Sequence, residues 1–217
     1  MGAVWRAAVR QPRFVRGGIL TVLALALSLY ICTRLMHYVQ ARPGTAINDP
    51  ILGAVGPVCL TWPIFAVLWF SMAVGVYWLA LNPPKLLMGL QAGALLMVFR
   101  TISLFLLPLE PLPTIIPLED PIAIYFGTGT LITKDLFFSG HTAVMFLLFL
   151  TAHSRRLKWF FLAGTVLVGV GVALQHVHYS ADVYSAPFFA YGSWRLVLFA
   201  HRHFKCLRIA LTDESVR

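Results

Sequence analysis

Charge is what this 217-residue chain has least of. Asp, Glu, Lys and Arg together make up 12% of it, against about 25% in an ordinary soluble domain. With 59% apolar residues and a mean hydropathy of +0.80, that scarcity excludes a water-soluble globule. No segment outside the apolar runs is long enough to build a separate core. Acid is scarcer still: eight Asp and Glu stand against 17 Lys and Arg, for a net charge of +9. No carboxylate cluster of metal-site type exists, so neither a metal nor another cofactor is implied. The basic excess does not indicate nucleic acid, because the cations flank apolar runs and form no recognised binding motif. Cysteine is nearly absent. Cys32, Cys59 and Cys206 have no metal spacing, and they read as single buried thiols. Internal repeats and low-complexity tracts are missing as well.

What remains is a succession of apolar runs, each near the roughly 20 residues needed to cross a bilayer. Six are expected to span: Gly18–His37, Leu52–Leu81, Leu86–Leu107, Leu136–His153, Trp159–Ala173 and Tyr179–Ala200. The second is overlong and holds Pro57 and Pro63, so it is tilted or begins late. Arg6, Arg10, Arg13 and Arg16 before the first run imitate a signal peptide. That run outlasts a usual signal core and lacks a small-residue cleavage site, so it reads as a retained span.

The connections alternate in charge. Lys85, then Arg155, Arg156 and Lys158, then Arg202, Lys205, Arg208 and Arg217 fall on the side of the N-terminal arm. Arg42, Asp49, Glu110, Glu119, Asp120, Lys134 and Asp135 fall on the other. The positive-inside rule then puts both termini in the cytoplasm. The expected architecture is all-α and polytopic, with six transmembrane helices. A basic arm (1–17) and a basic tail (201–217) flank a membrane domain (18–200). The loop from Pro108 to Asp135, with Pro111, Pro113, Pro117, Pro121, Gly127 and Gly129, reads as an irregular outer cap.

Two histidine segments carry the chemistry: Phe138-Ser139-Gly140-His141-Thr142 and His176-Val177-His178-Tyr179-Ser180-Ala181-Asp182. Each sits at the start of an apolar run, and the six-span topology brings both to the outer side. Ionisable groups in or beside spanning helices are costly, so such a cluster is a functional-site hypothesis by default. His178 and Asp182 share a helix face at i,i+4, where the carboxylate can fix the imidazole tautomer. The bland alternative is an ordinary intrahelical pair at a helix start. Ser139 reads as a cap, Gly140 as room for a phosphate, and the free amides behind them as an anion site.

Arg100, set among apolar neighbours, either clamps a phosphate or pairs with Asp182, Asp135 or Glu110. His176 touches a headgroup or merely sits in the interface. Tyr179 is an interfacial aromatic or a hydrogen-bond partner of substrate. Arg34 snorkels or lines the cavity. His37, His153, His201 and His203 read as solvated interface residues. A histidine to attack, a second to move a proton and an acid to orient the first are the inventory of phosphoryl transfer on a lipid.

Asp135-x-x-Phe138-Ser139-Gly140-His141-Thr142 and His178-Tyr179-Ser180-x-Asp182-Val183 resemble the two catalytic segments of the sphingomyelin synthase-like branch of the type-2 phosphatidic acid phosphatase superfamily. Arg100-Thr101-Ile102-Ser103 is similar to that family's third-span arginine segment, and Asp49-Pro50 to a short acidic-proline motif. Phe138 stands where the lipid phosphatases of the superfamily carry proline, and Gly171-Val172 where they carry Ser-Arg, which favours the synthase-like branch.

The resemblance implies that His178 takes the phosphoryl headgroup from a phospholipid donor and that Asp182 orients it. It also implies that His141 serves the leaving diacylglycerol or the acceptor, a lipid alcohol such as ceramide. Ser139, Gly140, Arg100, His176 and Tyr179 would line the substrate. Two rivals stay open: a lipid phosphatase or phospholipase C-like hydrolase using the same residues, and a non-catalytic lipid-binding or transport protein.

Overall fold

The structure is a computed structural model that describes residues 2–119 and 129–204. Asp120, Pro121, Gly127 and the tail residues Lys205, Cys206, Arg208 and Arg217 lie outside them. The described residues are helical and contain no strand, with one isolated backbone bridge between Thr45 and Leu109. Among the described residues seven α-helices follow one another: α1 Gly2–Val9, α2 Pro12–Ala41, α3 Thr61–Ala80, α4 Pro83–Leu106, α5 Gly140–Thr151, α6 Arg155–Leu174 and α7 Ser180–His203.

The helix starts follow local chemistry. Proline opens α2 and α4, where its missing N–H costs nothing. The Asn82 side chain caps α4 by accepting from the Lys85 amide at 3.2 Å, and Ser154 caps α6 by accepting from the Leu157 amide at 3.2 Å. The late start expected of the second run is observed: α3 begins only at Thr61. By contrast, α2 runs past both expected ends and takes Arg13 and Arg16 into its first turns.

Among the described residues four helices, α2, α3, α4 and α6, are long and apolar enough to cross a membrane, and the chain reads as a multi-pass membrane protein. Four of the six expected spans meet that measure of length and apolarity. The run Leu136–His153 yields only the 12 residues of α5, about 18 Å of helix for a hydrocarbon core of about 30 Å. The helix cannot begin earlier because Phe137 adopts φ 97° and Ser139 is extended. Helix α7 has 24 residues, but Asp182, Arg195 and Arg202 dilute its apolar character.

The short α5 is nonetheless central, in contact with α3, α4, α6 and α7. Its residues enter both main cores. Met145 and Leu148 pack with Ile64, Phe65, Leu68, Phe161, Val168 and Val172. Ala143 and Leu147 pack with Met88, Ala92, Leu96, Ala186 and Ala190. Irregular backbone ahead of α5 therefore meets protein, as an unsatisfied segment at membrane depth must. Gly169 lets α6 come close: a Cβ there would stand 3.0 Å from Val183 and 3.4 Å from Thr142.

The helices alternate in direction, so their ends gather in two groups. At one end the α2–α3 loop, the α4–α5 connection and the α6–α7 turn interlock through backbone bonds. Thr45 N–H donates to Pro108 O at 2.9 Å, Val58 N–H to Leu174 O at 2.8 Å and Ile116 N–H to Gln175 O at 3.1 Å. At the other end Trp5 Nε1 donates to the Ala80 carbonyl at 2.8 Å. His201 Nε2 lies 2.6 Å from Gln91 Oε1 there. His201 is buried at 2% exposure, which corrects its reading as a solvated interface residue: the α4–α7 contact covers it. Cys32 is buried as expected, but Cys59 is exposed because it precedes α3 instead of lying within a helix.

Candidate active site

The first histidine segment arrives on a strained backbone. Phe137 sits in the left-handed region at φ 97°, where a non-glycine residue persists only if its surroundings hold it. Three consecutive residues are held. The Phe137 carbonyl accepts from Ser185 Oγ at 3.1 Å. The Phe138 carbonyl accepts from Arg100 Nη1. The Ser139 amide donates to the Asp182 carbonyl at 3.1 Å. Ser139 then caps α5, its Oγ accepting from the Thr142 amide at 3.3 Å and from Thr142 Oγ1 at 3.0 Å. His141 follows in the first turn, half-buried, its ring edge-on to Phe65 with centroids 6.1 Å apart.

Arg100, buried in α4, is the brace behind this segment. Its guanidinium pairs with Asp135 and lies 5.4 Å over the Phe138 ring, which itself stacks on Phe189 at 4.4 Å. Of the partners considered from sequence, Asp135 is the one it finds. Gly140 explains how the guanidinium fits: a Cβ at that position would stand 2.9 Å from Arg100 Cζ. The space a Cβ would fill there holds the arginine, since α4 and the start of α5 meet at that point.

The second segment is the turn between α6 and α7. His178 Nδ1 lies 3.2 Å from Asp182 Oδ2, and both side chains are 2% exposed. The same oxygen accepts the Tyr179 amide at 3.2 Å, so the carboxylate closes the first turn of α7 while engaging the imidazole. An Nδ1–H directed at Asp182 leaves the lone pair on Nε2. The Ser139–Asp182 backbone bond fastens this turn to the start of α5, so the two histidine segments are adjacent.

Three residues around His178, namely His176, Tyr179 and Ser180, are each fastened to another loop. His176 adopts φ 58°, is buried, and sets Nδ1 2.6 Å from Thr114 Oγ1 on the proline-rich loop. It is neither in the interface nor on the helix carrying Asp182. Tyr179, 2% exposed, is likewise no interfacial aromatic. Its hydroxyl donates to the Glu110 carbonyl at 2.8 Å and accepts from the Ile47 amide at 3.3 Å, because Leu109 and Leu136 close over its ring. Ser180 is held by Asp49, whose Oδ2 accepts its amide at 2.7 Å and whose Oδ1 accepts its hydroxyl at 3.1 Å.

Arg34 is exposed on α2, the snorkelling alternative. Gln175, fully buried, was not singled out from sequence. Its Oε1 accepts the Leu60 amide at 2.9 Å and its Nε2 donates to Thr61 Oγ1 at 2.8 Å and to Ile116 O at 3.2 Å. An amide at the end of an apolar run was the available signal.

Two carboxyls outside the helices have shifted acidities. Burial pushes Asp49 up, but the Ser180 amide, the Leu52 amide, the Ser180 hydroxyl and the Ile51 amide outweigh it and hold the group below its ordinary value. The Lys134 ammonium, bonded at 2.7 Å, lowers Glu110, and the Gly44 amide adds to this.

The assembled geometry is that of a membrane protein with a carboxylate-bound imidazole in a turn whose backbone is bonded to the capped helix start that carries a second histidine. Residues 134–201 match the family model described as PAP2 superfamily C-terminal. The match spans both histidine segments and supports the type-2 phosphatidic acid phosphatase superfamily, whose members generally carry out phosphoryl transfer on lipids. A search of curated proteins gave no match.

Proposed function

We propose that this protein is a membrane phosphotransferase that moves a phosphate-bearing headgroup from a phospholipid to a lipid alcohol such as ceramide, through a covalent intermediate on His178. The observation that carries the reading is the commitment of His178 Nδ1 to Asp182 in a turn bonded to the Ser139–His141 segment. In the first step the Nε2 lone pair attacks phosphorus. The P–O bond to diacylglycerol breaks, and His141 protonates the departing oxygen. In the second, neutral His141 takes the proton of the acceptor hydroxyl, whose oxygen attacks phosphorus as the P–N bond breaks. Asp182 balances the charge on the imidazole throughout.

In this reading α5 with its preceding segment and α7 complete six crossings, both termini are cytoplasmic, and the histidine end faces the exoplasmic side. Water in place of the lipid alcohol would give a hydrolase with the same residues, a reading that the superfamily match also supports. The test is reconstitution in liposomes with headgroup-labelled phospholipid, with and without ceramide. Labelled sphingolipid that appears only with ceramide supports the transferase. Release of water-soluble label regardless of ceramide identifies the hydrolase. Bound but unconverted lipid identifies a carrier.

A further inference from the structure

We infer that Asp49, on the loop between α2 and α3, is a positioning residue for the nucleophile. It sets His178 by anchoring the first residue of α7, and the inference rests on the phosphoryl-transfer reading above. The anchor comes from outside the helix it holds. Asp49 Oδ2 accepts the Ser180 amide at 2.7 Å and Oδ1 the Ser180 hydroxyl at 3.1 Å. Oδ1 also accepts the Ile51 and Leu52 amides, each at 3.1 Å. One buried carboxylate thus fixes its own loop with one oxygen and reaches Ser180 with both.

Ser180 lies midway between His178 and Asp182. A shift of the α7 start moves both partners of the 3.2 Å pair, along with the Asp182 carbonyl that holds Ser139. The carboxylate also lies at the positive end of the α7 dipole, where a full negative charge is favoured. The four hydrogen bonds keep it ionised.

An amide cannot replace it. Asn at position 49 has one acceptor oxygen: if that oxygen keeps Ile51 and Leu52, its NH₂ faces the Ser180 N–H, donor against donor. The loop can survive while the bond to α7 is lost. Asp49 touches neither His178 nor His141 by hydrogen bond, so its effect is on alignment. An error of about 1 Å at a reacting group can cost on the order of 10²-fold in rate.

The experiment compares wild type, Asp49→Asn, Ser180→Ala and His178→Ala, purified in detergent and reconstituted with labelled phospholipid. Turnover, KM for the donor, melting temperature and label trapped on protein are read for each. Asp49→Asn is expected to lower kcat by on the order of 10- to 100-fold with KM and melting temperature near wild type. Ser180→Ala, which keeps the backbone bond, should lose far less. Equal kcat in Asp49→Asn and wild type overturns the inference. So does a loss of kcat that tracks a loss of melting temperature and recovers at lower assay temperature, which would mark a purely structural role. Wild-type turnover that persists in His178→Ala would instead overturn the phosphoryl-transfer reading itself.

Discussion

At the end of the bundle opposite His141 and His178, Leu81–Asn82 joins α3 to α4 and Ala152–Ser154 joins α5 to α6, each turn closed by a side-chain cap. Arg6, Arg10, Arg13, Arg16, Arg155, Arg156 and Lys158 are exposed there. At the histidine end the connections are long and irregular. The two described non-glycine residues with positive φ, Phe137 and His176, both lie there, as does every described carboxylate. Connecting helices takes only short capped turns. Strained backbone and carboxylates hydrogen-bonded from several loops lower stability unless they position something. The contrast makes the His141–His178 end the candidate site.

The sharpest way to break that contrast is to remove the groups that distinguish the histidine end. His178→Ala should reduce headgroup transfer to the uncatalysed background, and Asp182→Asn should cost about 10²- to 10⁴-fold, both measured as labelled product from liposomes. Next comes His141→Ala, with an expected loss of about 10²- to 10⁴-fold. If label still accumulates on the protein in that variant, His141 serves the acceptor step; if none does, it serves the leaving group.

Gly140→Ala tests the brace instead of the chemistry. The added methyl meets Arg100 Cζ at 2.9 Å, and the overpacking should destabilise by about 1–3 kcal/mol and lower activity, read by thermal melting and turnover. Smallest is the effect of Glu110→Gln on the outer network. The folded-state acidity of Glu110 is stronger than that of the unfolded chain, so its contribution is complete above the ordinary value of 4.5. It disappears as pH falls through the lowered folded value. Melting temperatures of variant and wild type should differ slightly at neutral pH and converge in acid.

Much of this was legible in sequence because its signals are local. Hydropathy located the α2, α3, α4 and α6 helices, and the i,i+4 spacing of His178 and Asp182 gave their pairing. Ser139 reads as a cap from its place before Gly140. What escaped depends on distant partners. Nothing near Arg100 says that its guanidinium crosses to Asp135 and fills the space over Gly140. The burial of Tyr179 under Leu109 and Leu136 comes from a loop some seventy residues away in the chain, and Asp49 meets Ser180 across a still longer separation. The shortness of α5 was hidden because apolar residues continue through Leu136 and Phe137 while the backbone turns.

Covalent transfer through His178 requires a bond between phosphorus and its imidazole. Wild-type protein and His178→Ala should be mixed with headgroup-labelled phospholipid, quenched in alkali and analysed by peptide mass spectrometry. Wild type should carry an alkali-stable, acid-labile adduct on the peptide containing His178, absent from the variant and discharged when the acceptor is added. An enzyme that turns over lipid with no adduct at any quench time, or with label on another residue, would contradict it.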